Sequence, residues 1–210
     1  MKTLEHAPLI EIEGLECPKG EAHFFNLNGD NKLRVAFWNL SSSKGTIFLQ
    51  SGRTEFIEKY YEVISEFIDR GYAVAMMDWR GQGLSERLLQ DRNIGHIEDF
   101  KSYQNDVEVM INTAINTKLA KPWVMFAHSM GGLIGLRSLH CTPIFQKAVI
   151  TSPMWGIEMP PILKSGAPII MSLISLLGKM ETYAPTTNSE TRILHENYES
   201  NKLTSDLKNF

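Results

Sequence analysis

The apolar residues Trp123-Val124-Met125-Phe126 run directly into Ala127-His128-Ser129-Met130-Gly131. A strand-like run that ends in small-x-Ser-x-Gly and continues as Gly132-Leu133-Ile134-Gly135-Leu136 asks for a strand that turns at once into a helix. The serine sits at the apex of that turn, held in a strained and exposed backbone conformation. Bulky side chains two residues to either side would collide there, and Ala127 and Gly131 are small enough. Gly132 and Gly135 keep the first helical turns slim where they pass a sheet. The turn makes the Ser129 hydroxyl the first candidate nucleophile and sets the expectation of an α/β architecture.

The rest of the chain is consistent with that architecture. Ala22 to Leu27 and Leu33 to Trp38 read as two strands around the turn-rich tetrad Asn28-Gly29-Asp30-Asn31, which predicts a hairpin. Thr46 to Leu49 is a short apolar strand. Phe56, Ile57, Tyr60, Ile64, Phe67 and Ile68 fall at helical spacing, and Gly71 sits where a C-terminal cap belongs. Tyr72 to Met77 is the next buried strand. Phe100, Tyr103, Val107, Met110, Ile111 and Ala114 mark a second amphipathic helix. Trp123 to Phe126 is the strand before Ser129, Ile134 to Leu139 lies in the following helix, and Lys147 to Thr151 is one more strand. This alternation predicts a mostly parallel sheet with flanking helices and an N-terminal hairpin.

After Pro153 methionine, proline, isoleucine and leucine dominate up to Met180, and the polar stretch from Glu181 to Ser205 follows without renewed strand-helix alternation. The sequence therefore divides into a core over 1–153 and a helical cap over 154–210. Met159, Ile162, Leu163, Ile169, Ile170, Met171, Leu173, Ile174, Leu176 and Leu177 give the cap an apolar surface. Such a surface suits an acyl chain or a membrane face, or packs over the core.

Composition narrows the function classes. The 210 residues are 43% hydrophobic and 21% charged, enough for one sizeable core. The net charge is −3 with scattered basic residues, so no nucleic-acid partner is expected. Cys17 and Cys141 read as free thiols in a reducing compartment, and no Cys/His cluster suggests a metal site or cofactor. The stretch from Met1 to Gly14 lacks the apolar core of a signal peptide, and the stretch from Ala167 to Leu177 is too short to span a bilayer. A cytoplasmic location is expected, with peripheral contact at the inner membrane face through the cap.

Two further motifs stand in register with the serine turn. Asp78-Trp79-Arg80-Gly81-Gln82-Gly83-Leu84-Ser85 follows a strand, and its glycines permit a tight turn with positive φ around Gln82. Asp78 and Ser85 can hydrogen-bond the loop backbone. Gln50-Ser51-Gly52-Arg53-Thr54-Glu55 joins a strand to a helix, where backbone N–H groups can face an anion. Acyl transfer needs such donors because the carbonyl oxygen gains negative charge. In enzymes built around this turn one donor is the N–H after the nucleophile, here Met130. The other comes from the loop after an earlier strand, here Arg53.

The strings Gln50 to Tyr60, Asp78 to Ser85, Gly95 to Tyr103 and Ala127 to Gly132 together resemble the serine α/β-hydrolases of the bacterial lysophospholipase and monoacylglycerol lipase group. The resemblance runs from about residue 20 onward and includes Asn201 to Asp206. It implies an ester hydrolase fold, a lipid-like ester substrate, and a triad in the order Ser, Asp or Glu, His. Ala127 stands where many relatives have glycine. Relatives also continue past the cap and carry the acid and histidine there, whereas this sequence stops first. The expectation is an N-terminal portion of such an enzyme, with the remainder or an oligomer partner supplied in trans, or a truncated product that acts by binding.

A base for Ser129 is hard to find in these residues. The turn points His128 away from Ser129, and His140 lies eleven residues later, about 16 Å along a helix. His96 reads as a structural member of its loop, and His6 and His23 come too early in the chain. His195 is the one histidine that the cap can bring close, with Glu158, Glu181 or Glu190 as orienter, although a solvated position is the default reading. Asp78 and Asp106 read as structural. The leading reading is a lysophospholipid or monoacylglycerol hydrolase acting through an acyl-enzyme on Ser129. A small-ester carboxylesterase, a haloperoxidase on the same fold and a non-catalytic binding protein are the alternatives.

Overall fold

Strands alternate with helices from residue 46 to residue 151, and the helices between them cover the sheet that their flanking strands extend. The structure is a computed structural model that describes residues 5–27, 32–156, 161–178 and 181–182. Seven strands, β1 (Glu5–Ala7), β2 (Gly20–Asn26), β3 (Lys32–Trp38), β4 (Thr46–Gln50), β5 (Ala73–Met77), β6 (Trp123–His128) and β7 (Lys147–Thr151), form one sheet. Their order is β1-β2-β3-β5-β4-β6-β7. The first three pair antiparallel, β3 joins β5 antiparallel, and β5, β4, β6 and β7 run parallel.

The helices are α1 (Tyr61–Asp69), α2 (Ser102–Asn116), α3 (Ser129–Cys141) and α4 (Pro161–Leu176). β4 and β5 are buried on both faces, which is why they read as unbroken apolar runs. The two-residue alternation sorts their side chains into two cores. Ile47, Leu49, Val74 and Met76 pack with Tyr61 and Ile64 of α1. Phe48, Ala75 and Met77 pack with Val107 and Met110 of α2 and Ile134 of α3. From β4 the chain moves to β5, and from β6 it moves to β7 on the other side. The switch point therefore lies at the carboxyl ends of β4 and β6, the place where ligands bind in open α/β sheets.

Most elements stand where the sequence places them, with shifts that have local causes. The predicted helix from residue 56 is split into a 3₁₀ turn, Ile57–Tyr60, followed by α1. The Ile57 N–H is taken by Asp78 Oδ1 and the Glu58 carboxylate by Arg34, so tertiary partners shape the first turn. At the other end of α1, Gly71 N–H donates to Ile68 O and Tyr72 N–H to Phe67 O, the Schellman pairing that Gly71 foretells. Strand β1 was missed, since three residues carry no readable period. The hairpin tetrad at 28–31 lies outside the described residues.

The chain forms two units, Met1–Pro160 and Pro161–Phe210. In the second, α4 is a helix with Pro168 inside it, and Ser172 Oγ donates to the Pro168 carbonyl. No helix among the described residues is long and apolar enough to cross a membrane.

Arg34 is fully buried on β3 and joins four parts of the first unit. It donates to Glu58 Oε1 and Oε2 at 2.7 and 2.8 Å, to Asp78 Oδ2 at 2.8 Å and to Pro8 O at 3.1 Å. Asp78 also accepts from Leu84 N–H at 2.8 Å, and Ser85 Oγ donates to Asp78 O at 2.7 Å. Burial alone would raise the Glu58 carboxyl, but the bonds from Arg34 outweigh it and hold Glu58 below the usual range. Replacing Arg34 by Met would leave Glu58 and Asp78 buried without their cation. The expected cost is about 3–5 kcal/mol in urea unfolding, the range for breaking a buried ion pair from one side.

Candidate active site

Strand β6 ends in extended backbone at His128, with φ −121° and ψ 139°. The next residue, Ser129, takes φ +51°, and α3 begins there. This is the strand-turn-helix elbow, and the positive φ on a non-glycine residue is its strain. Gly131 lies so close to β4 that a Cβ on it would stand 2.4 Å from the Gln50 carbonyl oxygen and 2.5 Å from that of Ser51. The requirement for a small residue at this position is therefore a contact with neighbouring backbone. Ala127, two residues before the serine, is fully buried and pairs with Gln50 across β4 and β6.

Beside the elbow runs the loop that follows β4. A Cβ on Gly52 would stand 3.2 Å from the Ser129 Cβ, so loop and serine are neighbours. Side chains hold this loop from both ends. Gly52 N–H donates to Glu55 Oε2 at 2.6 Å, and Thr54 N–H donates to Gln82 Oε1. Arg53 lies between them, and its N–H has no acceptor among the described residues. The Met130 N–H belongs to the first turn of α3, where N–H groups have no partner within the helix. The loop segment that carries the Arg53 N–H and the first turn of α3 that carries the Met130 N–H thus flank Ser129.

Glu55 is itself fixed by Lys59 Nζ and Tyr60 Oη, both at 2.6 Å. Burial would raise its carboxyl, but bonds from Lys59, Tyr60 and the Gly52 N–H outweigh that and hold it below the usual carboxylate range. Gln82 stands in the tight turn expected of it, with Gly81 at φ +75° and Gly83 at φ +51°. A second ion pair anchors that loop to α2: Arg80 Nη2 meets Asp106 Oδ1 at 2.5 Å, and Arg80 Nε donates to it at 3.0 Å. Trp79 Nε1 donates to Ser51 O at 2.8 Å and ties the two loops together.

Of the histidines, His96 is half-buried in the loop beside the Gly81 turn. His128 Nδ1 meets Thr151 Oγ1 at 2.9 Å, so its ring links β6 to β7. His140 lies in the last turn of α3. His6 and His23 face each other across β1 and β2 with ring centroids 6.1 Å apart. His195, Glu158 and Glu190 lie outside the described residues, and Glu181 is exposed. Among the described residues no side chain hydrogen-bonds the Ser129 hydroxyl. The loop after β7 also reaches the elbow, since Met154 N–H donates to Ser129 O at 3.0 Å.

Sequence reasoning missed Glu55, Gln82 and Arg34 as holders of this region. The signals were faint: a carboxylate three residues after a loop glycine, an amide between two glycines, and one arginine in an apolar strand.

Residues 41–208 match the serine aminopeptidase S33 family. The chain belongs to that family. Its relatives in the family are α/β-hydrolases of the lysophospholipase and monoacylglycerol lipase group. A probable lysophospholipase L2 from Haemophilus influenzae is 30% identical over 162 residues, 75% of this chain and 50% of that protein. Lysophospholipase L2 of Escherichia coli K12 is 30% identical over 148 residues, 69% of this chain and 43% of that protein. A soluble variant of monoglyceride lipase from Saccharomyces cerevisiae, solved with a substrate analog, shares the fold with a TM-score of 0.53. It is 22% identical, with 77% of this chain and 53% of that chain covered. The S33 chain spans about half the length of the curated relatives it matches.

Removing the Glu55 carboxylate frees the Gly52 N–H. Glu55→Ala should speed amide hydrogen exchange at Gly52 and its neighbours by about tenfold or more, the weight of a charge-assisted hydrogen bond. Because the Glu55 carboxyl titrates below its ordinary value, the wild-type clamp should hold through neutral pH. It should be lost only as pH falls through that lowered value. Equal exchange in the wild type and Glu55→Ala would overturn the clamp.

Proposed function

We propose that Ser129 is the nucleophile of a serine ester hydrolase whose substrate is a lysophospholipid or a monoacylglycerol. The observation that carries this reading is the φ of +51° at Ser129, beside a loop whose Arg53 N–H has no acceptor among the described residues. Ser129 Oγ bonds to the ester carbonyl carbon and gives its proton to a base. The carbonyl oxygen becomes an oxyanion held by the Arg53 and Met130 N–H groups. Collapse of that intermediate breaks the bond to the glycerol oxygen, which takes the proton and leaves. Water then repeats the sequence on the acyl-enzyme and releases the fatty acid.

In elbow enzymes the acid and the histidine follow the serine in chain order. No triad histidine is assigned within these 210 residues, where His195 is the one histidine that follows the elbow helix and reads by default as solvated. The family carries a peptidase name, whereas curated relatives are lysophospholipases and a monoacylglycerol lipase, and the ester reading follows them. The segment from residue 154 is proposed as the cap. Ile169, Leu173 and Leu176 lie at i, i+4 and i+7 along α4, a spacing that suits an acyl chain or a lipid surface.

A fluorophosphonate probe tests the nucleophile directly. Labelling and hydrolysis of a monoacyl ester should fall at least about 10⁴-fold in Ser129→Ala. Activity that survives the substitution removes Ser129 from the mechanism. An ester series of increasing acyl length separates the lipid reading from a small-ester carboxylesterase, since the latter loses rate as the chain grows.

A further inference from the structure

The side chain of Arg53 makes no hydrogen bond or ion pair among the described residues. It is exposed, no carboxylate pairs with it, and its guanidinium donates to nothing among the described residues. Neighbouring cations differ. Arg80 is committed to Asp106, Lys59 to Glu55, and Arg87 to the Gly81 and Gly83 carbonyls. The Arg53 guanidinium extends from the loop after β4 to the loop around Gly95, where a Cβ on Gly95 would stand 3.6 Å from its Nη2. That second loop packs against the Gln82 turn, with the His96 carbonyl 3.2 Å from the Cβ position of Gly81. The cation therefore lies on the rim at the carboxyl ends of β4 and β5, one residue after Gly52, which neighbours Ser129.

We infer that the Arg53 guanidinium recognises the phosphodiester of a 1-acyl lysophospholipid, and that this class is preferred over monoacylglycerol. The inference rests on the assignment of Ser129 as nucleophile and of the Arg53 N–H as oxyanion donor. Covalent geometry supplies the match. As many bonds separate the backbone nitrogen of arginine from its guanidinium carbon as separate the ester carbonyl carbon of a 1-acyl lysophospholipid from its phosphorus. With the carbonyl oxygen on the Arg53 N–H, an extended glycerol backbone carries the phosphate as far from that N–H as the side chain carries the guanidinium. The guanidinium offers five donors in a planar fork that suits two phosphate oxygens at once. Monoacylglycerol presents only a neutral hydroxyl at that place, which makes a weaker bond.

The test uses two water-soluble esters, 1-hexanoyl-glycerophosphocholine and 1-hexanoyl-glycerol, titrated by calorimetry into the Ser129→Ala protein so that nothing turns over. The phosphodiester should bind at least about tenfold more tightly than the neutral ester. Adding Arg53→Gln, which keeps the backbone N–H, should bring the two affinities together. Adding Arg53→Lys should keep part of the preference. Thermal unfolding should show each variant folded, as the exposure of the side chain implies. Equal affinities before any change at Arg53, no binding of either ester, or a preference that survives Arg53→Gln would each overturn the inference. So would inorganic phosphate binding as tightly as the phosphodiester, which marks a plain anion site. Hydrolysis of the same esters by the protein with Ser129 intact is scored separately. Fluorophosphonate labelling of Ser129 and the Arg53-dependent preference are read independently, so a failure of the catalytic reading is told apart from a failure of the recognition.

Discussion

The close approach of α3 to the end of β4 is the constraint on which the rest of the site depends. Gly131 rests against the backbone carbonyls of Gln50 and Ser51, and Gln50 is paired in register with Ala127 on β6. This contact sets the angle at which the chain leaves β6. The angle in turn forces the positive φ at Ser129 and turns the start of α3 toward the loop after β4. A larger residue at 131 would separate α3 from β4 and with it the serine from the Gly52–Thr54 loop. The strain at Ser129 is held in place by the sheet, because β4 and β6 are both flanked by other strands.

A second tier of polar contacts holds the loop that faces the serine. Glu55 and Gln82 take the N–H groups on either side of Arg53, so the loop cannot turn its free N–H elsewhere without breaking both bonds. Beneath them Arg34 joins Glu58, Asp78 and the N-terminal segment, and Arg80 joins the Gln82 loop to α2. Buried ion pairs of this kind contribute little net stability, because desolvation offsets the attraction. What they supply here is position: each ties a loop at the carboxyl ends of the strands to an element of the core. The serine site thus sits on rigid strands while its partner loop is pinned by charge.

Much of this was legible in the residues because it depends on local chemistry. Small-x-Ser-x-Gly after an apolar run names the elbow, since only that residue pattern tolerates the turn. β7 was placed to the residue, and α2 and α3 to within a few residues, because apolar spacing reports which face is buried. The 3₁₀ turn before α1 was not legible. Its cause is Asp78 and Arg34, far away in sequence. The clamps made by Glu55 and Gln82 were invisible for the same reason. A carboxylate or an amide in a loop reads as solvated until the fold shows which N–H lies beside it.

By itself the sequence determined the element types, the parallel core and the nucleophile candidate, because these follow from hydrophobic period and from the steric demands of a few small residues. Only the tertiary structure decided that Glu55 and Gln82 take the Gly52 and Thr54 N–H groups beside Ser129. It likewise decided that Arg53 has no ion pair among the described residues while Arg34, Arg80 and Arg87 are held by partners. The physical reason is that whether a polar group is satisfied depends on partners from several segments, and sequence spacing does not record which segments the sheet brings together.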